Sequence, residues 1–140
     1  TLRRPAAVTD EKGTTAEDTY TWPELNESLL AALAMNGFNE PTEIQAKAIP
    51  AIVNARNDVL LASHTGSGKT LAYLLPLIQL LKNEEEVAGQ QLTRAKRPRV
   101  LILGPTRELT DQVLSVAKSL SHTAKFSSGV VNGGVPLSKG

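Results

Sequence analysis

The sequence predicts an α/β fold, a parallel sheet covered by helices on both faces. Three observations predict it. Short apolar runs at residues 58–62, 100–103 and 126–131 alternate with stretches whose apolar residues recur at helical spacing. The order strand, helix, strand, helix, strand requires parallel strands joined by crossover helices. The first run also feeds a glycine-rich turn, Gly66-Ser67-Gly68, which opens straight into an apolar helix. Three strands are few for a finished doubly wound sheet. The chain starts without Met and stops in a Gly-rich stretch, so it reads as a piece of a longer protein.

Each element has its own local reason. Residues 1–19 carry only Leu2 and Val8 as large aliphatics and read as a flexible arm. Arg3 and Arg4 could end a targeting peptide, but Asp10, Glu11, Glu17 and Asp18 argue against one. Asn26 can cap a helix whose Leu29, Leu30, Leu33 and Ala34 share helical spacing, and Gly37 can end it. Thr42-x-x-Gln45 has the form of a capping box, with Ile44, Ala48 and Ile52 as the buried stripe. Pro50 should kink or shorten that helix. Asp58-Val59-Leu60-Leu61-Ala62 reads as a buried strand, and a long helix follows from Lys69 to about Lys82. Residues 83–98 read as a polar loop, with Glu84–Glu86 and the basic Arg94, Lys96, Arg97 and Arg99 as solvated charge. Val100-Leu101-Ile102-Leu103 reads as a second strand. Thr106 caps a helix striped by Leu109, Val113, Val116 and Leu120, and a third strand is expected near 126–131.

Composition removes several classes of function. The 140 residues carry 15 Lys plus Arg against 14 Asp plus Glu, a net charge of +1. Nothing global draws such a chain to nucleic acid or to a charged membrane, so any anion site must be built locally. There is no Cys, which excludes disulfides and thiolate metal sites, and two isolated His do not make a zinc site. The longest apolar stretch, residues 71–81, contains Pro76 and is far short of a membrane span.

The strongest chemical signal is Ser63-His64-Thr65-Gly66-Ser67-Gly68-Lys69-Thr70. A strand delivers the chain into a turn whose glycines let backbone N–H groups point inward, and a helix N-terminus adds positive potential at the same place. Lys69 is placed to reach the β- and γ-phosphates of a nucleotide, and the Thr70 hydroxyl to ligate Mg²⁺. The usual pattern has Gly or Ala where this chain has Ser63, a small residue that the turn tolerates. The bland alternative, a Gly-rich turn that merely caps a helix, does not account for the strand and helix that flank it. His64 reads as a loop residue beside the phosphates and not as a base, since nothing nearby in sequence would orient it.

The segment Gly37-Phe38-Asn39-Glu40-Pro41-Thr42-Glu43-Ile44-Gln45 resembles the Q motif of DEAD-box RNA helicases. Residues 62–70 resemble their motif I, Pro105-Thr106-Arg107-Glu108-Leu109 resembles motif Ia, and Gly133-Gly134 resembles their GG motif. The four occur in the family's order over residues 37–134. Asn39 stands where the family has a charged residue and Glu43 where it has an apolar one. The resemblance implies a RecA-like P-loop domain, with residues 20–48 as the Q-motif region and 49–140 as an incomplete ATP-binding domain. It implies that Gln45 reads the adenine edge with Thr42 in support. An aromatic packs on the base, for which Tyr20 and Trp22 are both candidates, and Phe38 either lines this pocket or is core. It further implies that Pro105, Thr106, Arg107, Gly133 and Gly134 hold the RNA sugar-phosphate backbone without reading sequence.

The family's Asp-Glu-Ala-Asp element is absent from these residues, as are its Ser-Ala-Thr element and second RecA-like lobe. The resemblance implies ATP and Mg²⁺ as cofactors and RNA as partner, while the missing elements mean that these residues alone are expected not to turn ATP over. Two other readings differ in class: a small P-loop kinase or transferase, and a non-catalytic short form that binds ATP or RNA. The sequence fits cytoplasm, nucleus or an organelle interior equally, with no membrane role expected.

Overall fold

The computed structural model describes residues 5–9, 19–56, 58–64, 66 and 68–133. In chain order the elements are β1 (Ala6–Thr9), α1 (Glu27–Met35), α2 (Glu43–Val53), β2 (Val59–Ala62), α3 (Lys69–Ala88) and α4 (Arg107–Ala124). They fall into two compact units. One joins the described residues up to Asn26 with Phe38–Leu92; the other joins Glu27–Gly37 with the described residues from Thr93 onward.

The first unit is built on a parallel pair. β1 runs beside β2 with Ala6 opposite Val59 and Thr9 opposite Ala62, and Ala6 N–H donates to the Asp58 carbonyl at 2.9 Å. This departs from the flexible arm expected over residues 1–19. Ala-Ala-Val-Thr has little intrinsic drive to form a strand, but β2 offers an edge and Val8 has somewhere to go. Val8 packs with Ile44 and Ala48 of α2 and Ala72 of α3. β2 is also less buried than expected. It alternates, with Val59 and Leu61 turned to this core and Leu60 exposed, which is the pattern of a sheet with one open face.

α2 begins at the capping box the sequence anticipates and continues through Pro50 to Val53. A proline there removes only one helical N–H close to the end, and the Pro50 carbonyl still accepts from Asn54 at 3.1 Å. α3 is longer than expected. It absorbs Glu84–Glu86 and stops at Gly89, which takes the left-handed conformation at φ +65°. The expected loop thus begins six residues late, because Asn83-Glu84-Glu85-Glu86-Val87-Ala88 contains no breaker before that glycine. Leu75 and Pro76 lie fully buried in the middle of this helix.

In the second unit α1 packs on the C-terminal half of α4. Asn36 Nδ2 donates to the Ser119 carbonyl at 3.3 Å, and Thr123 Oγ1 donates to Met35 Sδ at 3.3 Å. The buried face of α4 is Ala117, Leu120 and Ala124. Of the expected stripe only Leu120 is fully buried; Leu109 is exposed and Val113 and Val116 are half-buried. The packing face lies where α1 is, and small alanines let the two helices approach there. Residues 100–103 and 126–131 form no ladder among the described residues, contrary to the two strands expected there. Leu101 and Leu103 are 77% and 85% exposed. Apolar β-branched composition makes a segment ready to pair, but a strand exists only once a neighbouring backbone takes its N–H and C=O groups.

Candidate functional site

The residues singled out by the sequence gather in two places, one in each unit. In the first unit the capping box at the start of α2 and the turn before α3 are joined. Thr42 N–H donates to Gln45 Oε1 at 3.0 Å, and Gln45 N–H donates to Thr42 Oγ1 at 3.5 Å. The same Gln45 side chain donates from Nε2 to the Gly68 carbonyl at 3.2 Å, across 23 residues of sequence. Capping and contact with the glycine-rich loop therefore coexist in one buried carboxamide. One N–H and one oxygen lone pair of that amide remain beyond these bonds.

Gly66 and Gly68 both have positive φ, +81° and +86°. At Gly68 a β-carbon would also press against Gln45 Nε2 and stand 3.2 Å from Thr42 Oγ1. Glycine is required there by conformation and by space. Gly68 caps α3 from the left-handed conformation and brings no side chain of its own to the first-turn N–H groups. Lys69 is half-buried and its Nζ donates to the Ser63 carbonyl at 2.8 Å, folding the ammonium back over the loop's first residue. Thr70 follows at the second position of α3, half-buried. His64 is exposed; Thr65 and Ser67 lie outside the described residues.

Of the aromatic candidates, Tyr20 and Trp22 are half-buried and Phe38 is exposed. Trp22 Nε1 donates to the Asn39 carbonyl at 3.2 Å. Trp22 therefore braces the turn that leads into Thr42, a role that sequence reading alone did not reveal. Its only local signal was the aromatic itself, since its partner lies 17 residues on.

In the second unit residues 102–107 and 131–133, with Thr110, line one hollow of about 260 Å³. Pro105, Thr106, Arg107 and Gly133 are thus brought to a common surface; Gly134 lies outside the described residues. Thr106 Oγ1 accepts from Leu109 N–H at 3.3 Å and starts α4 as expected. Arg107 is solvent-exposed and its Nε lies 3.9 Å from Asp111 Oδ2. A helix start, a cation and a glycine bend around one hollow suit an anionic chain held by its phosphates. Thr106→Val should cost the α4 cap about 1 kcal/mol. Amide hydrogen exchange in the first turn of α4 would read this as faster exchange of Leu109 and its neighbours, with α3 unaffected.

The DEAD/DEAH box helicase family matches residues 42–139. The chain is 52% identical over 110 residues to DEAD-box ATP-dependent RNA helicase 39 of Arabidopsis thaliana, covering 79% of this chain and 17% of that protein. It is 46% identical over 118 residues to the ATP-dependent RNA helicase SrmB of Escherichia coli, covering 84% of this chain and 25% of that protein. Among solved structures it resembles the RNA-helicase Prp28 from Chaetomium thermophilum bound to ADP. The TM-score is 0.69 at 36% identity, over 92% of this chain and 30% of that one. The chain thus spans about a sixth to a quarter of the length of these curated relatives.

Proposed function

Since the chain belongs to the DEAD/DEAH-box helicase family, we propose that it is the nucleotide-binding and part of the RNA-binding portion of an ATP-dependent RNA helicase. The observation that carries this reading is the Gln45–Gly68 hydrogen bond. It ties a carboxamide able to read an adenine edge to the loop able to hold the phosphates, so base and phosphate recognition are mechanically one site.

The residues fit a nucleotide. Two left-handed glycines shape the loop, a glycine opens α3, and a half-buried ammonium stands beside the loop. When bound, ATP supplies the phosphoanhydride bond and Mg²⁺ neutralises its oxygens. Lys69 would leave the Ser63 carbonyl for the phosphates, because an anionic oxygen is a stronger acceptor than a neutral one. Gly66, Gly68, Ser63, His64, Thr65 and Ser67 would supply or shape the loop's N–H groups. The Thr70 hydroxyl would ligate Mg²⁺; among the described residues no cluster of three His, Cys, Asp or Glu could do so. Tyr20 or Trp22 would pack on the base; the Trp22 bond to Asn39 uses the edge of the indole and does not decide between them.

Pro105, Thr106, Arg107, Gly133 and Gly134 would hold RNA by its backbone, and binding would be independent of sequence. Strand separation in the whole protein would need the Asp-Glu-Ala-Asp element and a second RecA-like lobe. These 140 residues alone should bind nucleotide and RNA without RNA-stimulated hydrolysis, which a phosphate-release assay would check. Among the described residues no helix is long and apolar enough to cross a membrane.

The adenine assignment is tested by Gln45→Ala. A fluorescent ATP analogue should bind roughly tenfold more weakly, the equivalent of one lost polar pair. The preference over GTP should collapse at the same time. A loss shared equally by ATP and GTP would mean that Gln45 only braces Gly68.

A further inference from the structure

Asn132 sits immediately before the turn at Gly133, and its side chain reaches α4. Its Nδ2 donates to Asp111 Oδ1 at 3.0 Å, which turns its Oδ1 towards Thr110. Thr110 Oγ1 lies 2.8 Å from that Oδ1, 2.8 Å from the Arg107 carbonyl and 3.3 Å from the Thr106 carbonyl, so its single proton serves the Asn132 oxygen in competition with the α4 backbone. The Thr110 methyl meanwhile fills the space beside Gly104, where a β-carbon would come within 2.5 Å of Thr110 Cγ2. Asp111 presents its other oxygen to Arg107 at 3.9 Å. Three segments, ending at Gly104, at Arg107 and at Asn132, are therefore referenced to one turn of α4. All three line the same hollow.

None of Thr110, Asp111 and Asn132 is needed to touch a phosphate. Arg107 and Asp111 are more than half exposed, so their pairing does little for stability. What the network does is fix where two phosphate-facing elements stand with respect to each other. We infer that Asn132, acting through Thr110 and Asp111, is a positioning residue that sets the spacing between the Thr106–Arg107 helix start and the Gly133 bend to fit successive phosphates of one RNA strand. This rests on the RNA reading above. An unconstrained Asn132 would let the bend drift from the helix start, and RNA would then have to order it on binding.

The test uses the 140-residue chain, a labelled single-stranded oligouridylate and fluorescence anisotropy across a salt series. Asn132→Ala should weaken RNA binding by roughly 5- to 10-fold, the scale of one or two lost hydrogen bonds. The slope of log affinity against log salt should flatten by about 0.7 for each phosphate contact that disengages. Thr110→Val, nearly the same shape without the hydroxyl, should do the same, and Thr110→Ser should restore both values. Affinity for a fluorescent ATP analogue should not move in any variant, because that site lies in the other unit. Normal RNA affinity and salt slope in Asn132→Ala and Thr110→Val would overturn the positioning role while leaving the RNA reading intact. Absence of RNA binding by the unaltered chain would overturn the RNA reading, and this inference with it.

Discussion

Replacing Gly68 with Ala is expected to reduce nucleotide affinity by roughly 30- to 150-fold. Two costs add. A non-glycine residue at φ +86° costs about 1–2 kcal/mol in backbone conformation, which lowers affinity because the unliganded loop relaxes from it and binding must restore it. The new methyl then displaces the Gln45 carboxamide from the Gly68 carbonyl, losing about 1 kcal/mol more with that hydrogen bond. About 2–3 kcal/mol corresponds to roughly 30- to 150-fold. Titration with a fluorescent ATP analogue reads the loss. Combining Gly68→Ala with Gln45→Ala separates the two costs, because the double variant relieves the crowding but not the dihedral strain. Its loss should therefore be smaller than the product of the two single losses. Strict additivity would show that Gln45 and Gly68 do not sense each other.

Lys69→Met should lower affinity for an ATP analogue with Mg²⁺ at least 30-fold while barely moving the thermal midpoint. In the free chain Lys69 makes one bond to a neutral carbonyl at the half-buried start of α3, and methionine keeps its apolar stem. Against phosphate oxygens the same ammonium would make charge-assisted bonds worth about 1.5–3 kcal/mol each, so binding suffers far more than folding. Isothermal titration calorimetry beside a melting curve measures both quantities. Affinity within threefold of the unaltered chain would mean that Lys69 stays on Ser63 and does not serve the nucleotide.

The parts legible in the sequence were those whose cause lies within a few residues. The capping box is an i to i+3 relation, and Thr42 and Gln45 form it as read. Gly37 ends α1 through a left-handed turn, and Thr106 caps α4 through its own hydroxyl. The glycine-rich loop was legible because a strand, two glycines and a helix start are adjacent in the chain. The end of α3 was legible in principle, since Gly89 is the first breaker after Lys82, but the charge of Glu84–Glu86 suggested solvent and hence a loop. A helix tolerates an exposed acidic face as long as no residue interrupts its backbone ladder.

Local chemistry by itself thus determined the α/β class, the helix caps, and a loop able to curl around an anion. Tertiary structure decided the rest. It made a strand of Ala6–Thr9, whose composition barely favours one, because β2 supplied the backbone partner and Ile44, Ala48 and Ala72 received Val8. It left 100–103 and 126–131 unpaired among the described residues, because a ladder needs a second backbone whatever the side chains prefer. It moved the packed face of α4 towards Ala117 and Ala124, since burial depends on where α1 lies and not on where the aliphatics are. It also joined Gln45 to Gly68 and Thr110 to Asn132, pairs 23 and 22 residues apart. Such contacts have no periodic signature. They are decided by which turns the packed helices bring within hydrogen-bonding distance.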